Sequence, residues 1–402
     1  MRRLIVLAMA CSFLLGCGSS GSSGSGNSGG NVTPSTPTRK PTITPGGPTR
    51  TPRPTETPGG PTRTITQTRT PQPPQTLFVR ASGSDDNPGT SPDQAFKTLT
   101  TAASHLHAGT TLYVGPGKYT GRLEITKAEG SAAAPIVIIA DTTGSHTGDR
   151  SGAVIIDANG DTAALLMTKS TYVALDGFTI TGAQPQETPK ASATAVHVRN
   201  ASAHVTIQHC IIANAATADG IRVEASSDAL IFNNLIYAND RGILISGDSP
   251  RAQVINNTVA DNERTGILLL QKSQLAPVDG TVMNNIIQQN GNGRAIQVDD
   301  GPPSAEEGYQ GNFNLVFEPD AMDQTTAYLP TTVRGLNDVN ADAQFVNLDQ
   351  GDVHLDPASP AVNAGSDDID AGLLEELQKR STSADGARDR SPVDLGYHYP
   401  EQ

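Results

Sequence analysis

Tryptophan is absent from this 402-residue chain, and aromatic residues make up only 4% of it. The flat rings on which sugars usually stack are therefore scarce. Cysteine is scarce too, at three. Cys11 and Cys17 lie near the start, so Cys210 is alone in the remainder and no internal disulfide can staple the fold. Cys210 sits between His209 and Ile211 in an apolar run, which suits a buried inert thiol better than a nucleophile. Long apolar runs are missing as well: the stretch from Leu4 to Leu15 is too short to span a bilayer.

Arg2 and Arg3 precede that stretch, which ends in Gly16-Cys17. A basic start and a short apolar core are the pattern of a secretory signal. The tetrapeptide "LLGC" resembles the lipobox of bacterial lipoproteins, which implies that Cys17 is acylated and becomes the mature N-terminus. The expectation is an exported protein of a bacterial cell envelope, lipid-anchored to the outer membrane or the cell surface. Residues 18–75 are Gly/Ser-rich and then Thr/Pro-rich. They have almost nothing to bury and read as a solvated, extended tether.

The leader and the Thr/Pro stretch together carry +7, so residues 76–402 hold −20 of the chain's net −13. Such acidity argues against a nucleic-acid partner. It also opposes unaided binding of a polyanion, unless a divalent cation such as Ca²⁺ reverses the field locally.

Internal repeats organise the rest. Four segments superimpose without gaps: "QHCIIAN" from Gln208, "NNLIYAN" from Asn233, "NNTVADN" from Asn256 and "NNIIQQN" from Asn284. Two polar columns result, His209, Asn234, Asn257, Asn285 and Asn214, Asn239, Asn262, Asn290. Each repeat also holds two further β-prone runs, such as "GILIS" from Gly242 and "AQVI" from Ala252. Three short strands in a coil of 22 or more residues are the arithmetic of a parallel β-helix. Equivalent residues then stack about 4.8 Å apart. An amide stacked on its own copy donates to one neighbour and accepts from the other, so it can be buried without losing hydrogen bonds. The Asn columns thus read as scaffold, two ladders at two corners of the coil.

Over roughly residues 76–317 the sequence resembles the right-handed parallel β-helix proteins of the pectin-lyase-like superfamily. "FVRASGSDDNPGTSPDQAFKTL" from Phe78 and "TLYVGPGKYTGRLEI" from Thr111 look like the N-terminal lead-in of secreted members. "AQFVNLDQGDVHLDPASPAVNAGSD" from Ala343 looks like their tail. The expected architecture is all-β, a three-sheet solenoid over 76–317 with an irregular C-terminal segment, 318–402, that caps or wraps it. Phe96, Leu99, Ala103 and Leu106 fall at helical spacing, so Pro92 to Leu106 is expected to be an amphipathic capping helix.

The longest corner insertions, Ala183 to Thr194 and the segment from Gln271, flank the "GILIS" strand column. Loops on both sides of one sheet make a groove, and the superfamily's enzymes use that face for polysaccharide. Alternation points Val196, Ile221, Ile243, Ile267 and Ile296 inward. It points His197, Arg222, Leu244, Leu268 and Gln297 outward, with Arg199, Glu224, Ser246, Leu270 and Asp299 two residues on. The resemblance implies a lyase chemistry, Ca²⁺-assisted β-elimination of a uronate polymer. Lys190, Arg199, Arg222 and His197 are then candidate catalytic groups, and Asp219, Glu224 and Asp240 candidate metal ligands.

Other features point away from catalysis. The Asp clusters of pectate lyases and the motifs of polygalacturonase-like hydrolases are missing. Asp219 and Arg241 share a column in adjacent coils and can simply pair. Two readings stand: an extracellular protein, expected to be monomeric, that binds or cleaves a polysaccharide, or a non-catalytic surface or adhesion module. The outward Leu244, Leu268 and Leu270 are expected to lie under the 271–279 loop or the C-terminal tail.

Overall fold

The computed structural model describes residues 73–400 apart from 188–189, 216, 271–278, 292–293, 299–307, 320, 322–323 and 330–332. The signal with Cys17 and nearly all of the tether fall outside the described residues, as does Asp299. Three parallel sheets dominate. Sheet A has nine strands, from Gln75–Val79 to Tyr309–Asn312. Sheet B has eight, from Gly117–Thr120 to Leu315–Phe317, and sheet C eight, from Leu123–Thr126 to Tyr328–Leu329. After the first strand of sheet A the chain visits A, B and C in turn, so each later coil adds one strand to every sheet. This is the expected three-sheet solenoid.

Coil-to-coil register follows the apolar columns. Ile221 pairs with Val196 and Ile243, Ile243 with Ile267, and Ile267 with Ile296. All five are fully buried. Branched aliphatics stacked in one file favour the pleat and fill the narrow interior without voids.

The Asn ladders run through two corners. Asn234 Nδ2 donates to Asn257 Oδ1 at 3.0 Å, Asn257 to Asn285 at 3.1 Å and Asn285 to Asn314 at 3.0 Å. In the second ladder Asn239 donates to Asn262 at 3.2 Å, Asn262 to Asn290 at 2.8 Å and Asn290 to Glu318 at 3.0 Å.

The first repeat sits one residue away from its gapless alignment. Ile211 pairs with Leu235, and Ala215 lies opposite Asn239. Asn214 is therefore outside the second ladder: it is exposed, and the buried Ala215 takes the ladder place. His209 is likewise level with Asn233, and Cys210 N–H donates to Asn234 Oδ1 at 2.9 Å. The shift has a backbone cause. His209, Asn233, Asn256, Asn284 and Phe313 form a file with φ between 51° and 59°. Asn214, Ala238, Asp261 and Gln289 form another, with φ between 52° and 60°. One residue turns the corner left-handed, where Asn is tolerated, and the next stacks its amide inside.

The N-terminal cap is shorter than its pattern suggests. The α-helix, α1, covers Leu99–Ala103, begun by Thr98, whose side chain accepts from the Thr101 N–H. Pro92–Gln94 is a separate 3-10 turn. Phe96 packs from extended backbone, bridged to Val79. At the other end Tyr328 is fully buried, and its hydroxyl donates to Asp338 at 2.8 Å.

The C-terminal segment wraps the side of the rod. Leu373, Leu374 and Leu377 of a second helix, α2 (Ala371–Gln378), pack with Val393 on Phe232 and Ile255 of sheet A. Leu355, Ala361 and Leu395 cover Ile286 and Leu315, and Val353 and Tyr397 cover Leu235, all on sheet B. The corner asparagines fix this strap. Asn233 exchanges two hydrogen bonds with the His398 backbone, at 2.9 and 2.6 Å, and Asn284 two with Ser366, both at 2.9 Å. Asn256 donates to Asp394 O at 3.1 Å.

Candidate functional site

Sheet C keeps the expected outward columns. His197 pairs in register with Arg222, and Arg222 with Leu244; Arg199 pairs with Glu224. Glu224 is the hub. Its Oε2 lies 3.2 Å from His197 Nε2 and 3.4 Å from an Arg222 Nη. Burial and the neighbouring Arg222 guanidinium push the His197 pKa down to about 4. The imidazole is therefore neutral at pH 7, and its contact with Glu224 is a neutral-donor hydrogen bond. Arg199 stands beside this group with no carboxylate partner among the described residues, and its Nε is buried without an acceptor.

The candidate metal ligands are held by cations. Asp219 accepts from Arg241 at 2.9 Å. It is 4% exposed, and burial raises its pKa against the pull of Arg241. Asp240 accepts from Arg264 Nε at 2.6 Å. Glu224 is shared as described. Among the described residues no group of three His, Cys, Asp or Glu side chains is placed to hold a metal ion.

Lys190 lies in a two-residue strand, Lys190–Ala191, antiparallel to Gln186–Glu187, so the long corner insertion folds as a hairpin just before the His197 strand. Leu244 and Leu268 are buried, at 4% and 6% exposed. The strap contacts lie on sheets A and B, and 271–278 falls outside the described residues.

Two features escaped the sequence reading. The first is the strap-binding role of Asn233, Asn256 and Asn284, signalled by the doubling of Asn in three repeats. The second is a cleft of about 360 Å³ between the cap and the first strands of sheets B and C, lined by Ala81, Leu99, Lys97, Lys118 and Arg122, among others. Its signal was the three cations in a short stretch of a strongly acidic domain.

Comparison with known proteins bears on the architecture. Residues 152–308 match the family model described as a right handed beta helix region. No curated protein matches the sequence. Among solved structures, the chain is similar to a GH136 lacto-N-biosidase from Eubacterium ramulus at 13% identity and a TM-score of 0.44, covering 60% of this chain and 56% of that one. It is similar to pectate lyase Pel9A at 16% identity and a TM-score of 0.41, covering 74% and 94%. An alginate lyase from Paenibacillus sp. str. FPU-7 gives 17% and 0.40, covering 61% and 88%. The chain thus spans little more than half the length of the lacto-N-biosidase, and at such likeness the activities stay with those proteins. With the family model matched across residues 152–308 and three parallel sheets running through them, these coils form a right-handed parallel β-helix.

Proposed function

We propose that the chain binds an acidic extracellular polysaccharide on the outer face of sheet C, held away from a membrane by its lipid-anchored tether. The observation that carries this reading is the pairing pattern of the face. Among the described residues Arg199 has no carboxylate partner, while Arg222 shares Glu224 with a neutral His197. A partly buried guanidinium without an acceptor is an incomplete arrangement, and carboxylates on a polymer complete it with charge-assisted hydrogen bonds. The paired strands Gln186–Glu187 and Lys190–Ala191 lie just before the His197 strand in the chain. The anchor rests on Arg2, Arg3, the apolar run and Cys17.

Binding is better supported than Ca²⁺-assisted cleavage. Asp219, Glu224 and Asp240 are each already paired, so an ion held there would have to displace arginines. A metal-free elimination is the second reading. Its one specific support is His197, whose neutral form at pH 7 can accept a proton.

The full chain is titrated with a panel of uronate polymers at low and moderate salt. Binding is expected to weaken with salt, and to fall at least about tenfold in Arg199→Ala and Arg222→Ala, in line with a lost charge-assisted bond. Ultraviolet absorbance of an unsaturated product, lost in His197→Ala, reports the second reading. No binding across the panel, or unchanged binding in both arginine variants, refutes the proposal and favours a non-catalytic structural or adhesion module.

A further inference from the structure

We infer that the cleft at the N-terminal end of the solenoid is a second binding site, for the acidic end of an oligosaccharide about one or two rings long. Sheet A begins one coil before sheets B and C. In place of the missing B and C strands, the chain builds the cap that carries α1, and the cleft lies where this cap meets Gly117–Thr120 and Leu123–Thr126. Its volume, about 360 Å³, is open space between ordered elements.

Three kinds of group line it. Ala81, Leu99 and Leu123 offer an apolar surface that suits the C–H face of a sugar ring. Thr100 and Thr120 bring hydroxyls, the Thr98 hydroxyl being tied to Asp85 at 2.8 Å, and Lys97, Lys118 and Arg122 bring positive charge. Lys118 is paired to Asp157 at 2.5 Å, and Arg122 lies 3.4 Å from Asp161 and 3.8 Å from Glu124. Lys97 is exposed and has no ion-pair partner among the described residues. Residues 76–402 hold −20, so the unpaired Lys97, standing near two paired cations, runs against the trend of the surface and favours a carboxylate there.

The backbone adds donors and narrows the ligand class. The strand Gly117–Thr120 is the edge of sheet B. Gly117 and Gly121 N–H groups donate into the next coil, to Ala153 O at 3.0 Å and Asp157 O at 2.8 Å. The alternate residues Lys118 and Thr120 thus turn their backbone groups the other way, toward the cleft. Gly121, at φ +100°, ends this edge. Two outward-facing residues are too few to pair an added peptide strand, which favours a compact, hydroxyl-rich ligand over an acidic peptide. The choice of sugar rests on the polysaccharide reading above; the cleft itself does not.

The test titrates the full chain calorimetrically with digalacturonate, cellobiose and triglutamate. Digalacturonate is expected to bind with an affinity that falls with salt, while the other two bind at least tenfold more weakly. Lys97→Glu and Arg122→Glu should each weaken it tenfold or more. Thr100→Lys, which adds a cation to the same wall, should tighten it, so the idea stays exposed if a charge reversal misfolds. Retained digalacturonate binding in Arg199→Ala separates the cleft from the sheet C face. Equal binding of cellobiose or triglutamate, or no change in any cleft variant, overturns the assignment.

Discussion

Asn257→Ala should cost about 3 kcal/mol, well above the cost of Asn214→Ala, although the sequence repeats present both as ladder residues. Asn257 Oδ1 accepts from the Asn234 backbone N–H at 2.9 Å and from Asn234 Nδ2 at 3.0 Å. Its Nδ2 donates to Ile231 O at 2.9 Å, Ile255 O at 3.1 Å and Asn285 Oδ1 at 3.1 Å. Truncation does not strand every partner. Asn234 Nδ2 keeps Ile207 O at 2.9 Å, and Asn285 Oδ1 keeps the Asn257 backbone N–H at 2.9 Å. The Asn234 N–H is left without an acceptor in a fully buried site, and Ile231 O loses a donor. The orphaned N–H costs about 1–3 kcal/mol, and the bond lost at Ile231 O together with a small void adds to it, which gives a range of roughly 2–4 kcal/mol. Asn214 is exposed, makes no side-chain hydrogen bond among the described residues and holds φ 60°. Its replacement by Ala brings only left-handed backbone strain, about 1 kcal/mol. Denaturant midpoints at unchanged slope measure both changes. Equal losses in the two variants would refute the one-residue shift and the ladder energetics built on it.

Two other perturbations test separate parts of the structure. His197 should titrate by NMR near pH 4, against about 6.5 for a free imidazole. Its folded pKa is depressed, so the unfolded chain takes the proton first: stability is full above about pH 6.5 and falls as pH drops toward 4. His197→Gln should remove that part of the slope, and a midpoint near 6.5 would mean the imidazole is not buried beside Arg222 and Arg199. Asn233→Ala and Asn284→Ala each remove two hydrogen bonds to the strap. Protease nicking within 343–400 should rise about tenfold or more for each, the equivalent of one to two lost bonds; unchanged protection would show that the apolar contacts alone hold the tail.

The sequence carried the coil because its periodic signal is redundant: three β-prone runs and two amide columns repeat together, and from Asn233 onward each reports the same register. The outward columns of sheet C followed from alternation alone, since a parallel ladder leaves no freedom once one inward residue is placed. The Asn214 register could not be read the same way. "QHCIIAN" aligns its terminal Asn with Asn239 by letter, yet Asn214 is itself the left-handed residue, the place that Ala238, Asp261 and Gln289 hold one position before their ladder Asn, and letters do not encode φ. The capping helix failed for a related reason. Phe96 keeps helical spacing with Leu99, but it is bridged to Val79 in extended backbone, so tertiary pairing overrode local periodicity. Of the site, sequence placed Arg199, Arg222 and Glu224 side by side. It left open which partner each charge takes, because partner choice depends on side-chain reach across coils.

The strap decides which surfaces of this rod remain for a ligand. Its apolar contacts lie on the outer faces of sheets A and B in coils that include Leu230, Leu235, Ile286 and Leu315. A fully wound β-helix exposes three side faces; this tail closes much of two of them with Leu373, Leu377, Val393 and Tyr397. Among the described residues the strap's apolar contacts do not include His197, Arg199 and Arg222 on sheet C, nor the first coils of A and B with Lys118. Cations without full pairing, Arg199 on sheet C and Lys97 at the cap, stand in both of those places. Burying a charge without a partner is expensive, so a tail laid over either region would have been penalised, whereas over Phe232 and Ile255 it gains apolar burial. The same electrostatics that steer the tail away from these two regions suit them to a carboxylate-bearing ligand, which is why binding to acidic sugar is expected at the sheet C face and at the cap and not on the strapped sides.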